Sequence, residues 1–224
     1  MKHKTDILTK LNLKDPYKYI RSLNLLKTES PSWGGQCDIF SQLIDEYKPR
    51  IIFELGAFLG DSTITMAKHL KENKLDCTII TIDTWLGSQE HWIQNKCNLL
   101  HLYDNFEYGT SSLYNKFITN VIHENVEEYI IPMPATTDTA FDVLFNLGIK
   151  ADMIYMDADH RESVVYNDLV NYSKLLNNDG IIFGHDINWQ GVEKAVIHYC
   201  EENKKNYKSI LDNKSDRIKF WQIL

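Results

Sequence analysis

Two stretches of this chain carry residue types spaced to hold a ligand. The first is Glu54-Leu55-Gly56-Ala57-Phe58-Leu59-Gly60-Asp61-Ser62. Gly56, without a Cβ, lets the backbone turn sharply and lets a ligand come close. Gly60 and Ser62 fall where a helix should begin, with free N–H groups and the positive end of its dipole, so a carboxylate or phosphate could dock there. The spacing is E-x-G-x-x-x-G, not the G-x-G-x-x-G of dinucleotide binders, and Glu54 stands where that fingerprint needs its first glycine. A carboxylate there repels a pyrophosphate and suits a ligand with a positive amino group. The second stretch, Cys77 to Thr84, ends in Asp83-Thr84. An acid at the tip of a second strand accepts hydrogen bonds from ribose hydroxyls, although Asp in that place is also a common turn cap. In this order the two stretches point to an adenosine-containing ligand with a cationic amino acid end.

A second group of residues could act on a bound substrate. Asp157, Asp159 and His160 follow the apolar run Ala151 to Asp157, and His185 with Asp186 closes the run Gly180 to Asp186. Convergent ionisable groups at a cleft mark functional sites. A histidine of near-neutral pKa, His160 or His185, could take a proton from an attacking hydroxyl, which is worth about 10²–10⁴-fold in typical cases. The structural alternatives are a helix cap at Asp159 and a hydrogen-bonded core histidine at 185. Trp85, His91 and Trp92 open an aromatic segment that could wall a substrate pocket, and Trp189 either joins that wall or packs ordinarily.

These residues need elements to hold them. Five short apolar runs, at 50–57, 77–84, 129–135, 151–157 and 180–186, read as buried parallel strands. With Pro132 and Pro134 the third should pair poorly or lie near a sheet edge. Helices are expected from Asp61 or Ser62 to Lys71, from Thr139 to Leu147 with Gly148 closing it, and from Ser163 to Leu176. Val192, Ala195, Val196, Tyr199 and Cys200 make the inner stripe of one more helix. Tyr207 to Leu211 and Ile218 to Leu224 read as an antiparallel hairpin joined through 213–216. The expected architecture is therefore α/β: a Rossmann-like, doubly wound, mostly parallel seven-stranded sheet with a C-terminal antiparallel hairpin. Residues 1–48 read as an N-terminal helical extension or cap, with a helix from about Gln36 to Tyr47, and 49–224 as the main domain. Residues 85–128 form an insertion that is either a lid or a surface excursion packing its own aromatics.

Composition narrows the partners. The chain has 224 residues and a net charge of −7, which disfavours nucleic acid. Cys37, Cys77, Cys97 and Cys200 show no C-x-x-C spacing, Cys77 and Cys200 fall in apolar patterns, and a reducing, cytoplasmic location is expected. No apolar run is long enough for a membrane span, and Met1 to Lys10 lacks a signal-peptide core.

E-L-G-A-F-L-G-D-S, T-I-D-T-W-L-G-S, Y-M-D-A-D-H and G-I-I-F-G-H-D, in this order, resemble class I S-adenosylmethionine-dependent methyltransferases. The likeness is greatest to the small-molecule and sugar O-methyltransferases, near the catechol and macrolide-sugar types, and covers about residues 33 to 224. It implies S-adenosylmethionine as methyl donor and a small-molecule or carbohydrate acceptor, with a homodimer left open. It further implies that Glu54, Gly56, Gly60 and Ser62 meet the methionine end, that Asp83 holds the ribose, that Thr136 or Thr137 lies near adenine, and that Asp157 faces the amino group or a metal. Related enzymes bind a divalent metal through an Asp after the fourth strand and an Asp-Asn or Asp-Asp pair after the fifth. Here that pair is His185-Asp186, so the implied ligand set for Mg²⁺ or Mn²⁺ is Asp157, His185 and Asp186. The competing reading is a nucleoside- or nucleotide-binding module without catalysis, which has no need of the D-A-D-H and H-D segments.

Overall fold

Seven apolar segments form one sheet in the computed structural model, which describes residues 2–20, 35–89, 92, 106–107, 109–212 and 217–224. The strands are β1 (Ile51–Leu55), β2 (Thr78–Asp83), β3 (Ile130–Pro134), β4 (Ala151–Met156), β5 (Leu176–Gly184), β6 (Tyr207–Asp212) and β7 (Arg217–Ile223). Their order across the sheet is β3-β2-β1-β4-β5-β7-β6. The first five run parallel, and β7 pairs antiparallel with both β5 and β6. Order reverses between β1 and β4, so the crevice for a ligand lies outside the carboxyl ends of those two strands. β3 is the sheet's edge, as its two prolines require, since neither can donate to a ladder on both sides.

Helices cover both faces. On one, α3 (Ile39–Tyr47), α4 (Asp61–Glu72) and α5 (Leu113–His123) bury Phe40, Ile44, Met66, Leu70, Phe117 and Ile118. On the other, α6 (Thr137–Asn146), α7 (Glu162–Ser173) and α8 (Gln190–Asn203) bury Leu144, Leu169, Tyr172, Val196 and Tyr199. The N-terminal helices α1 (Lys2–Lys10) and α2 (Tyr17–Ile20) are pinned through Lys4, whose buried ammonium donates to the Glu127 carbonyl at 2.7 Å, and through Ile7 in the second core. The aromatic segment 85–128 lies mostly outside the described residues as far as 108. Its return, α5, is an integral layer of the first core. Among the described residues no helix is long and apolar enough to cross a membrane.

Three boundaries differ from expectation for local reasons. Helix α4 takes Gly60 as its N-cap, at φ 93°, and so has no side-chain cap, while the Ser62 hydroxyl is committed to Glu54. Helix α6 starts at Thr137, earlier than expected, because the Thr136 hydroxyl accepts the Thr139 N–H at 3.2 Å. Strand β5 starts at Leu176 rather than Gly180, pairing with Ala151 ahead of an irregularity in the ladder.

Candidate active site

The turn after β1 is held from several sides. The Asp83 carboxylate accepts the Ala57 and Phe58 N–H groups on Oδ2, both at 2.8 Å, and the Trp85 N–H on Oδ1 at 2.7 Å. A carboxylate has about four lone-pair directions, so one remains for a ligand hydroxyl. Gly56, at φ 90°, is required by packing: a Cβ there would lie 2.2 Å from the Asp157 carbonyl oxygen. The structure gives this glycine a packing reason of its own, the close crossing of the β1 and β4 ends. Gly60, at φ 93°, lies against the Phe117 ring.

Glu54 is fully buried, and the Ser62 and Thr63 hydroxyls both donate to it at 2.5 Å. Burial pushes its carboxyl up and the Ser62, Thr63 and Thr81 hydroxyls pull it down. With the nearby Asp157 charge the net is a pKa of about 7. Its oxygens therefore orient Ser62 and the first turn of α4. Gly35, which sequence reasoning passed over, lies against that same turn: its Cβ would be 2.8 Å from the Ser62 nitrogen, and Gln36 donates to Asp61 at 3.3 Å. The Gly34-Gly35 pair was the available signal of a close backbone approach.

Across the crevice, one ligand atom each from Asp157, His160 and Asp186 lies within 4.8 Å of the other two. The His160 Nε2 is 3.0 Å from Asp186 Oδ2, and the Tyr155 hydroxyl donates to Asp157 Oδ2 at 2.9 Å. His160 thus joins the two acids, and the expected His185 lies beside the same pair. His185 is buried against the Phe220 ring, 4.7 Å between centroids, with Nδ1 at 3.7 Å from Asp157 Oδ1 and 3.3 Å from Asp186 Oδ1. Burial alone would lower its pKa, but the two carboxylates outweigh burial and raise it to about 10. Burial opposes ionisation of Asp186, yet the two histidines hold its carboxyl well below the usual range.

The other expected residues scatter. Asp159 accepts the Arg161 N–H at 2.7 Å and pairs with the guanidinium, so it caps the loop ahead of α7. Trp189 stacks on His160 at 4.3 Å and remains 41% exposed. Trp85 is 2% exposed, packed on Tyr114 and Phe117, and so does not wall a pocket. Trp92 is half exposed and donates Nε1 to the Leu86 carbonyl at 3.1 Å. His91 lies outside the described residues. Thr137 is half-buried at the start of α6, its carbonyl accepting from Tyr172 at 2.8 Å. Asp168, also unforeseen, is buried beside Thr137 with a pKa pushed up to about 7 by burial. With Asp159, His160 and His185 it lines a cavity of about 10 Å³, room for one water.

Backbone strain gathers at the same rim. Phe58, Trp85 and Asp186 take left-handed φ values of 46°, 51° and 55°, just past the ends of β1, β2 and β5. The other non-glycine residues with positive φ follow helix ends. Strained residues of this kind cluster where ligands bind.

A sheet ordered β3-β2-β1-β4-β5-β7-β6, with this turn at the reversal point, defines a Rossmann-like methyltransferase fold. The methyltransferase domain profile matches residues 53–187, more than half of the chain, and the chain belongs to that family. No curated protein matches the sequence. Among solved structures, it is similar to the O-methyltransferase TomG from Streptomyces achromogenes, involved in tomaymycin synthesis and solved with SAM (15% identity, 96% of this chain and 88% of that one, TM-score 0.60). It is similar to an O-methyltransferase from Bacillus cereus in complex with SAH (13% identity, 99% and 94%, TM-score 0.60) and to the O-methyltransferase NovP (17% identity, 84% and 79%, TM-score 0.60).

Proposed function

We propose that this chain transfers a methyl group from S-adenosylmethionine to a hydroxyl of a small molecule or sugar. One observation carries the reading: the Glu54-to-Ser62 turn, the Asp83 tip and the Asp157–His160–Asp186 cluster lie at neighbouring carboxyl ends of the sheet's strands, where Gly56 lies against residue 157 and Asp83 holds residues 57 and 58. The methyl donors and products bound to similar folds, SAM in TomG and SAH in the Bacillus cereus enzyme, support the choice of ligand.

In this reading Ser62, oriented by Glu54, meets the methionine end, the remaining lone pair of Asp83 takes a ribose hydroxyl, and Thr137 lies near adenine. The acceptor oxygen forms its bond to the methyl carbon as the carbon–sulfur bond breaks in line, and the hydroxyl proton must leave. Holding both reactants in one geometry supplies much of the rate. His185, with a pKa of about 10, is already protonated near neutral pH and is a poor base. His160 is the histidine left for that role, its ring fixed by Asp186 and by Trp189. Trp189 offers its exposed indole to a flat ring or sugar face.

The cluster also fits a divalent cation: two carboxylates and one imidazole within 4.8 Å make a hard-to-borderline donor set suited to Mg²⁺ or Mn²⁺. Asp157, His160 and Asp186 would hold it, and a bound cation lowers the pKa of a hydroxyl on it.

Calorimetric titration tests the proposal. S-adenosylhomocysteine should bind and NAD should not, and Asp83→Ala should weaken binding at least about tenfold, in line with loss of a charged hydrogen-bond acceptor. Binding without any methylated product from catechol or sugar acceptors would favour the non-catalytic module. Activity indifferent to EDTA would remove the cation but leave the transfer.

A further inference from the structure

Helix α5 lies directly behind the glycine turn. The Asn120 side chain, 2% exposed, donates Nδ2 to the Leu59 carbonyl at 2.9 Å. Trp85 donates Nε1 to the Phe58 carbonyl at 2.9 Å, and its ring is wedged against Tyr114 and Phe117 of α5, at 4.9 and 5.0 Å. The Phe117 ring also fills the space left by the missing Cβ of Gly60. Within the turn, Ala57 O accepts from Gly60 N at 2.7 Å and Gly60 O from Ile64 N at 2.8 Å. Each carbonyl from 57 to 60 is thus engaged, and the two middle ones are held from outside by buried side chains.

A peptide unit is planar and trans, so fixing the Phe58 carbonyl also fixes the Leu59 N–H on its opposite side, and fixing Leu59 fixes Gly60. Phe58 is itself in the left-handed region, which a phenylalanine does not favour unless its surroundings impose it. Trp85 lies beyond the end of β2, and Asn120 reaches the turn with its side chain rather than through the backbone bonds of α5. What their N–H groups determine is the direction of the turn's peptide planes.

We propose that Asn120 and Trp85 are positioning residues for the methyl donor, holding the Phe58–Leu59 peptides in the one conformation that accepts it. The inference rests on the functional reading above. A turn released from these bonds spends part of its time in other conformations, and apparent affinity falls in proportion to the fraction still competent.

The test pairs Asn120→Leu, which loses the N–H at nearly constant bulk, with Trp85→Phe, which loses it while keeping a smaller aromatic ring. The probe is S-adenosylhomocysteine, titrated calorimetrically well below the melting temperature. Leu144→Ala, in the core of the opposite face, is the control for lost stability alone. Both variants should bind at least fivefold more weakly, Leu144→Ala should stay within twofold of the parent, and Asn120→Gln, which keeps an amide donor, should recover part of the loss. Parental affinity in either folded variant overturns the proposal, as does equal weakening in Leu144→Ala. Should Asn120→Leu fail to fold, Trp85→Phe decides, since it keeps an aromatic ring against Tyr114 and Phe117 and Leu144→Ala controls for the stability it loses. Failure of the parent chain to bind the probe overturns the functional reading, and this inference with it.

Discussion

Glu54 gives the site a pH signature. Its ordinary carboxyl value is 4.5 and its folded value about 7. Between those values the folded chain keeps a proton that the unfolded chain has lost, so stability falls as pH rises through this window. The full loss, reached above about pH 7, is on the order of 3 kcal/mol. His185 acts in the same direction over a higher window: its contribution is complete below about 6.5 and drains away as pH climbs to about 10. Glu54→Gln removes the first effect and leaves the second, while the Ser62 and Thr63 hydroxyls can turn to suit an amide. Thermal melts from pH 5 to 8 at constant ionic strength should show a steeper decline for the parent than for Glu54→Gln. Parallel declines would mean that Glu54 is ionised throughout.

Elements were more legible than the loops between them. Val192, Ala195, Val196, Tyr199 and Cys200 read as one helical stripe because helix period leaves a trace in sequence, and all five are buried. Two prolines sufficed to set β3 at the edge. The direction of a loop side chain leaves no such trace. His160 and His185 were equal candidates by composition, and what separates them is long-range: Phe220, from the last strand, packs on one, and Trp189 on the other. Trp85 resembled a substrate wall because it heads an aromatic segment, and only the return of α5 turns it into core. Gly56 was found by its spacing, whereas its packing against residue 157 left no trace in the sequence. Gly56→Ala would drive a Cβ into the Asp157 carbonyl and force a positive φ on alanine. It should separate the ends of β1 and β4, destabilise by more than 1 kcal/mol in urea titrations, and weaken S-adenosylhomocysteine binding together with stability. A fully stable Gly56→Ala would show that the two strand ends can move apart freely.

At the scale of the whole molecule, the two helical layers pack on opposite faces of one sheet, and the sheet changes order between β1 and β4. A ligand there touches the first core through the α4 turn and the second through residues after β4. It should therefore stabilise both layers together and raise a single melting transition. Ligand at 100 times its dissociation constant adds about 2.7 kcal/mol to a native state that alone binds it. For a chain of 150–250 residues each kcal/mol moves the midpoint roughly 2–4 °C, so S-adenosylhomocysteine should raise it by about 5–10 °C. NAD is the discriminating comparison: its pyrophosphate would meet a chain of net charge −7 at a turn without the dinucleotide spacing, and the midpoint should stay in place. Differential scanning calorimetry reads both outcomes at once. Two transitions with only one shifted would show that the layers unfold separately and that the crevice belongs to one of them; an equal shift with NAD would return the turn to the dinucleotide binders from which its spacing separates it.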